Sequence, residues 1–246
     1  VELAFIPSTI TQSEGEYTVP SVVTRMGEYL FKGAKFTKVI IPTSVVEVSA
    51  YAFQSCPNLS ILEFLATEQR QDDETKVEVK PLTISEDAID KCSNLKKIIF
   101  PERLQEMKGV DIPTVFSKFK KLESISVVGS CNGQVYSSID GMLCKNNSVG
   151  PDTLIYCPRG KVFEDVNKTT GKDPYYVLNI PSQITKIGSN AFNSFNNLSD
   201  YYGKDEEYIL NKIVFPSLMV DIGDHAFYKM PFLEEVVFSG DGTGKH

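Results

Sequence analysis

A proline and a phenylalanine recur with ten residues between them at Pro20/Phe31, Pro42/Phe53, Pro181/Phe192 and Pro216/Phe227, and this spacing constrains the chain more than any other feature. Before two of these phenylalanines stands Ile-Gly-x-x-Ala-Phe, at Ile187 to Phe192 and Ile222 to Phe227. Met26-Gly27-x-x-Leu30-Phe31, Val48-Ser49-x-x-Ala52-Phe53 and Ile84-Ser85-x-x-Ala88-Ile89 are looser copies. Three residues further on come Cys56, Cys92, Phe119, Phe195 and Met230. Three after those come Leu59, Leu95, Leu122, Leu198 and Leu233. In four of these copies an apolar-x-apolar strand follows directly: Leu62-x-Phe64, Ile98-x-Phe100, Ile125-x-Val127 and Val236-x-Phe238. Ile213-x-Phe215 continues another copy after an insertion, and Val39-x-Ile41 closes the first. Six copies with a basic step of about 22 or 23 residues mark a repeat array.

The alternation at the end of each copy is that of a half-buried strand. The proline that often follows has no N–H to continue a ladder. A second extended piece, such as Val45-x-x-Val48 or Ile184-x-x-Ile187, leads into a Gly or Ser turn. The Ala-Phe segment is then expected as a short helical or 3₁₀ turn with Phe in the core. One such unit cannot bury its apolar face alone, whereas stacked units can. The expected core ladder is Phe31, Phe53, Phe116, Phe192 and Phe227 with Leu59, Leu95, Leu122, Leu198 and Leu233, in one continuous stack.

These residues resemble the BspA-like, or Treponema pallidum-type, leucine-rich repeats; Ile180 to Phe192 is nearly a consensus copy. Tyr136 to Lys145 followed by Thr153 to Lys161 resembles the hairpin found between repeats in bacterial members, with Cys144 and Cys157 where Tyr is common. The resemblance implies a leucine-rich-repeat solenoid. Short parallel strands would line the concave face, with extended and helical or 3₁₀ turns elsewhere and a β-hairpin insertion near 136–161. The expected division is an edge or cap segment 1–18, a solenoid 19–238 with its hairpin insertion within 129–178, and a polar tail or linker 239–246. It also implies a secreted or cell-surface protein, usually bacterial, that adheres to a host or neighbouring-cell protein or glycoprotein. A spacer within a larger surface protein is the alternative, and a carbohydrate-active enzyme the outlier.

Composition excludes several partners. Net charge is −7, with 25 basic against 32 acidic side chains, and an acidic surface repels phosphate backbones and anionic lipid. No apolar run spans a bilayer, and the N-terminus lacks a signal-peptide pattern. Any signal or lipid anchor would lie outside this segment. Nucleic acid and membrane insertion are therefore not expected.

Catalysis has little to rest on. The two histidines are His225, at a variable repeat position, and His246, the last residue, and no nucleophile, phosphate-loop or metal-ligand motif appears. The chain is expected not to be an enzyme and to need neither cofactor nor metal. Cys56 and Cys92 share a repeat position, so they either bridge or stack as buried thiols; zinc on Cys131, Cys144 and Cys157 lacks a close pair. The acidic runs Asp72-Asp73-Glu74 and Asp205-Glu206-Glu207 lack the alternation of a calcium loop. Individuality lies in two insertions, roughly Ala66 to Val79 and Ser199 to Asn211, since insertions in solenoids map to loops on one face. Tyr175, Tyr176, Tyr201, Tyr202 and Tyr208 lie beside or within the second and are the candidate partner-binding residues. The concave positions Lys96, Lys97, Glu123, Ser124, Glu234 and Glu235 read as a mixed-charge solvated face.

Overall fold

The computed structural model describes residues 1–3, 8–67, 80–85, 87–108, 111–130, 133–170, 172–193 and 210–240. The apolar-x-apolar segments form parallel strands as their alternation requires. Glu16–Thr18, Lys38–Ile41, Ile61–Phe64, Lys97–Pro101 and Ser124–Val128 pair in chain order, all parallel. Their inward residues Val39, Ile41, Leu62, Phe64, Ile98 and Phe100 are buried. The second extended pieces build another parallel sheet from Glu2–Leu3, Arg25–Met26, Glu47–Val48, Leu82–Ser85 and Leu104–Lys108. Residues 1–18 thus supply the first strand of both sheets, and Tyr17 stacks on Phe36 at 4.8 Å.

Between the sheets the Ala-Phe segments are hydrogen-bonded turns rather than helices. The residue before Ala, or before Leu30 in the first copy, is left-handed in four copies: Tyr29 (φ 57), Tyr51 (φ 57), Asn190 (φ 60) and His225 (φ 56). A second left-handed residue follows at Gly33, Ser55, Lys91 and Lys229, four positions on in the copies of Tyr29, Tyr51 and His225. In those three coils the two reversals bring the chain round without a helix. Phe31 amide donates to Ala52 carbonyl at 2.7 Å and Phe53 amide to Ala88 carbonyl at 2.7 Å, so each turn hangs on the next coil. The motif glycine has a different task. A Cβ on Gly223 would sit 2.5 Å from the Ser189 nitrogen, so the glycine permits two coils to approach.

The expected hairpin is a three-stranded meander: Tyr136–Ile139, Met142–Asn146 and Pro151–Tyr156. Asp140 (φ 49) and Gly141 (φ 73) make its first turn, both left-handed as a tight two-residue reversal requires. Its third strand also pairs in parallel with Lys186–Ile187, which pairs with Asp221–Ile222. Val177–Asn179, Lys212–Phe215 and Glu235–Phe238 form the second half's inner sheet, again parallel.

The core consequently departs from one unbroken stack. Phe31, Phe53 and Phe116 lie in a first cluster; Phe192 lies in a second, with Phe227 packed against it. The meander is the wall between them. Leu143 and Tyr156 face the first cluster, whereas Met142, Cys144, Leu154 and Cys157 face the second. Within each cluster equivalent residues do stack: Phe31 on Phe53 at 5.1 Å, Phe192 on Phe227 at 5.4 Å. Leu59, Leu95 and Leu122 are buried as expected, Leu233 is half-buried in the last coil, and Leu198 lies outside the described residues.

Candidate functional site

Before the strand Val177–Asn179 the segments 165–170 and 172–176 are drawn together by one carboxylate. Asp165 accepts the amides of Asn167 and Tyr175, each at 2.9 Å, and bridges Tyr176 across an antiparallel pair. Asn167 donates its side-chain amide to the Asp173 carbonyl at 2.8 Å, and the Thr170 hydroxyl donates to the Asn167 carbonyl at 2.9 Å. The loop is therefore held by its own side chains before any ligand arrives.

The next two coils complete the site. Tyr176, Asn211 and Glu234 stand at the head of successive inner strands, and the backbone runs through them: Asn211 amide to Tyr176 carbonyl at 2.9 Å, Glu234 amide to Asn211 carbonyl at 2.8 Å. The side chain of Asn211, only 8% exposed, accepts the Tyr176 amide at 2.9 Å and donates to the Glu234 carboxylate at 3.4 Å. An open cleft of about 610 Å³ results, lined by Asn167, Lys172, Asp173, Pro174, Tyr175, Asn211 and Glu234. The Tyr175 hydroxyl points to the Glu235 carboxylate at 3.5 Å. Partial burial and the nearby Glu235 and Glu234 carboxylates push its phenol above the ordinary range. Lys212 is engaged by Glu235 at 3.0 Å.

Of the five tyrosines expected to bind a partner, Tyr175 lines this cleft and Tyr176 packs against the second core cluster, while Tyr201, Tyr202 and Tyr208 lie outside the described residues. Both acidic runs, Cys131 and His246 lie outside them too. Asp165, Asn167 and Asn211 were missed: nothing about an isolated Asp or Asn signals that it will cap a loop or bridge two coils. The boundary of the second insertion also shifts. Leu210 is fully buried and Asn211 nearly so, which makes both part of the coil rather than of the loop.

The other candidates resolve differently. Cys56 and Cys92 are free, buried thiols, donating to the carbonyls of Phe31 at 2.9 Å and Phe53 at 3.0 Å, and the neighbouring Cys92 thiol together with burial pushes Cys56 upward. Cys144 and Cys157 are likewise buried and free. His225 is exposed, edge-on to Tyr228 at 5.5 Å. On the first inner sheet Lys96 pairs with Glu123 at 2.9 Å, and Lys38 bridges Glu16 at 3.2 Å and Glu63 at 2.9 Å. Half-buried Ile40, Ile61 and Ile99 lie among these ion pairs, so that face is more apolar than its charges alone indicate.

Comparison with known families decides what the coils are. The model of the BspA type leucine rich repeat region matches six copies, over residues 11–132 and 176–241. The chain belongs to the BspA-type leucine-rich repeat family. The meander lies within the gap between the two matched segments. Among solved structures, this BspA-type chain is similar to the pneumococcal vaccine antigen PcpA, at 20% identity and a TM-score of 0.55, covering 90% of this chain and 50% of that one. It is also similar to a leucine-rich cell-surface protein from Faecalibacterium prausnitzii (18% identity, TM-score 0.42, covering 91% and 69%). A leucine-rich repeat protein from Eubacterium ventriosum matches at 18% identity and TM-score 0.44, covering 92% and 60%. The chain spans about half the length of PcpA. No curated protein matches the sequence.

Proposed function

We propose that this chain is a secreted or cell-surface binding module that holds a host or neighbouring-cell protein or glycoprotein at the cleft around Tyr175. Membership of a repeat family built from stacked coils supports a binding rather than a catalytic role, since solenoids present extended surfaces to partners. The observation that carries the reading is the prior ordering of the cleft: Asp165 and the buried Asn211 fix a rim of polar side chains around one half-buried tyrosine. A rigid aromatic with a polar tip supplies contact area at little cost in side-chain entropy.

The test passes the purified chain over immobilised matrix proteins and mucins, comparing it with Tyr175→Ala, Lys172→Ala and a deletion of residues 199–209. The deletion stops short of the buried Leu210 and Asn211, so the coil is kept. Saturable binding by the parent chain that Tyr175→Ala weakens by roughly tenfold, at unchanged melting temperature, supports the proposal. Absence of binding to every surface favours a spacer, and equal binding by all variants moves the ligand elsewhere on the solenoid; either result overturns it.

A further inference from the structure

We infer that the cleft takes a neutral oligosaccharide, carried on the partner that the binding reading assigns to it; the inference rests on that reading and narrows its chemistry. Asp173 and Glu234 bring acceptors, Lys172 and Asn167 bring donors, and Tyr175 brings the one aromatic ring of the lining. Sugar hydroxyls donate and accept at adjacent carbons, so they suit a rim in which both kinds of group alternate at short range. The apolar C–H face of a pyranose suits a single fixed ring. A peptide anchor needs an apolar socket, and Pro174 is the one aliphatic side chain of the lining, too little to build one.

Charge selects within the sugars. Asp173 and Glu234 line the cleft, Glu235 faces the Tyr175 hydroxyl at 3.5 Å, and Lys212 is already paired to Glu235 at 3.0 Å. Lys172 offsets one of the two lining carboxylates, so the cleft keeps an acidic excess of one charge on a chain whose net charge is −7, which disfavours sialylated, sulfated or phosphorylated glycans. The loop's internal hydrogen bonds mean that little ordering is left to occur on binding, a condition under which a small polar ligand can be held at all.

The experiment presents the full chain to an array of neutral oligosaccharides together with their sialylated and sulfated forms. In parallel, any protein found to bind is tested before and after enzymatic removal of its glycans. Neutral glycans are expected to bind, with a loss of roughly tenfold or more in Tyr175→Ala and retention within roughly threefold in Tyr175→Phe, since the ring face rather than the hydroxyl carries the contact. Glu234→Gln is expected to soften the discrimination against the sialylated forms. Binding to a protein that survives removal of its glycans overturns the inference and leaves the binding module standing. Preference for the acidic glycans overturns it equally, and binding to neither glycan nor protein removes both readings together.

Discussion

Phe53 and Phe227 hold the same position in their coils but not the same cover. Phe53 is fully buried and stacked on Phe31 at 5.1 Å, whereas Phe227, in the last coil, is half-buried. Truncating a buried phenylalanine removes its transfer free energy and leaves a cavity, at about 3–5 kcal/mol. Phe53→Ala is expected to cost that much and Phe227→Ala about half, read as the difference in urea midpoints. Equal losses would mean that the last coil is covered in solution. Repeat arithmetic makes the identity of both residues plain; it cannot rank them, because cover depends on what stacks next. The left-handed turns were hidden for another reason. Tyr29 and Tyr51 adopt φ 57, and tyrosine carries no signal for that region; their rings stack at 5.2 Å, a contact that offsets part of the backbone cost. Thiols add a pH dependence. Burial pushes Cys144 up to about 12 and Cys157 higher, against an ordinary value of 9.0. Between those values the unfolded chain releases protons that the folded chain keeps, so unfolding gains. The thiols' contribution to stability is expected to be flat between pH 7 and about pH 8 and to fall as pH rises past 9. Urea midpoints from pH 7 to pH 10.5 check this, and Cys144→Val should shallow the decline.

The meander is the element on which the fold turns, and its job is visible in how residues alternate. Leu143 and Tyr156 point into one core, while Met142, Cys144 and Cys157 point into the other, so it is apolar on both faces. The Asp140-Gly141 reversal was legible through the family resemblance, whose hairpin carries an Asp-Gly pair at that place. Its role as a wall was not, because sheets buried on both faces and sheets buried on one share many sequences over so short a length. The segment after it is pinned to the first stack. Arg159 donates to the Ser117 carbonyl at 2.7 Å, and Lys161 holds the turn through the Asp140 carbonyl at 2.6 Å and its carboxylate at 3.0 Å. Gly160 lies between these two, and its amide donates to the Leu122 carbonyl at 2.8 Å. A Cβ there would lie 2.7 Å from the Lys121 carbonyl carbon and 3.0 Å from the Leu122 carbonyl oxygen, backbone atoms rather than a flexible side chain that could yield. Gly160→Ala is therefore expected to destabilise by about 1–3 kcal/mol, as overpacking does. Thermal unfolding of the single variant measures it; a change within about 0.5 kcal/mol would show that the segment slides freely and pins nothing.

For the molecule as a whole, two stacked cores share one wall, and that arrangement determines how the chain comes apart. Solenoid stability is close to a sum of coil terms and nearest-neighbour interfaces, so cooperativity is only as strong as the weakest interface. The cleft belongs to this scale too: part of its lining, Asn167 and Lys172 to Tyr175, is separated in sequence by the second insertion from the heads of two later coils at Asn211 and Glu234. Tyr175 stood out in the sequence because tyrosines beside an insertion are conspicuous; the side chains around it come together only once the coils are stacked. All of them stand on the second core, beyond the wall. Tyr156 is the wall's largest fully buried residue on the first side, with its ring 5.7 Å from Phe116. Tyr156→Ala opens that side and leaves Met142, Leu154 and Cys157 in place against the second core. Hydrogen exchange should then split. Amides of Ile98 and Ile125 in the first inner sheet are expected to lose protection by a factor equivalent to about 3–5 kcal/mol, while those of Ile213 and Phe215 hold theirs. Loss of protection in both sheets together would mean that the wall fuses the two stacks into one cooperative unit. In that case damage to the first stack would reach the cleft, and ligand binding by Tyr156→Ala would fall along with its stability instead of surviving it.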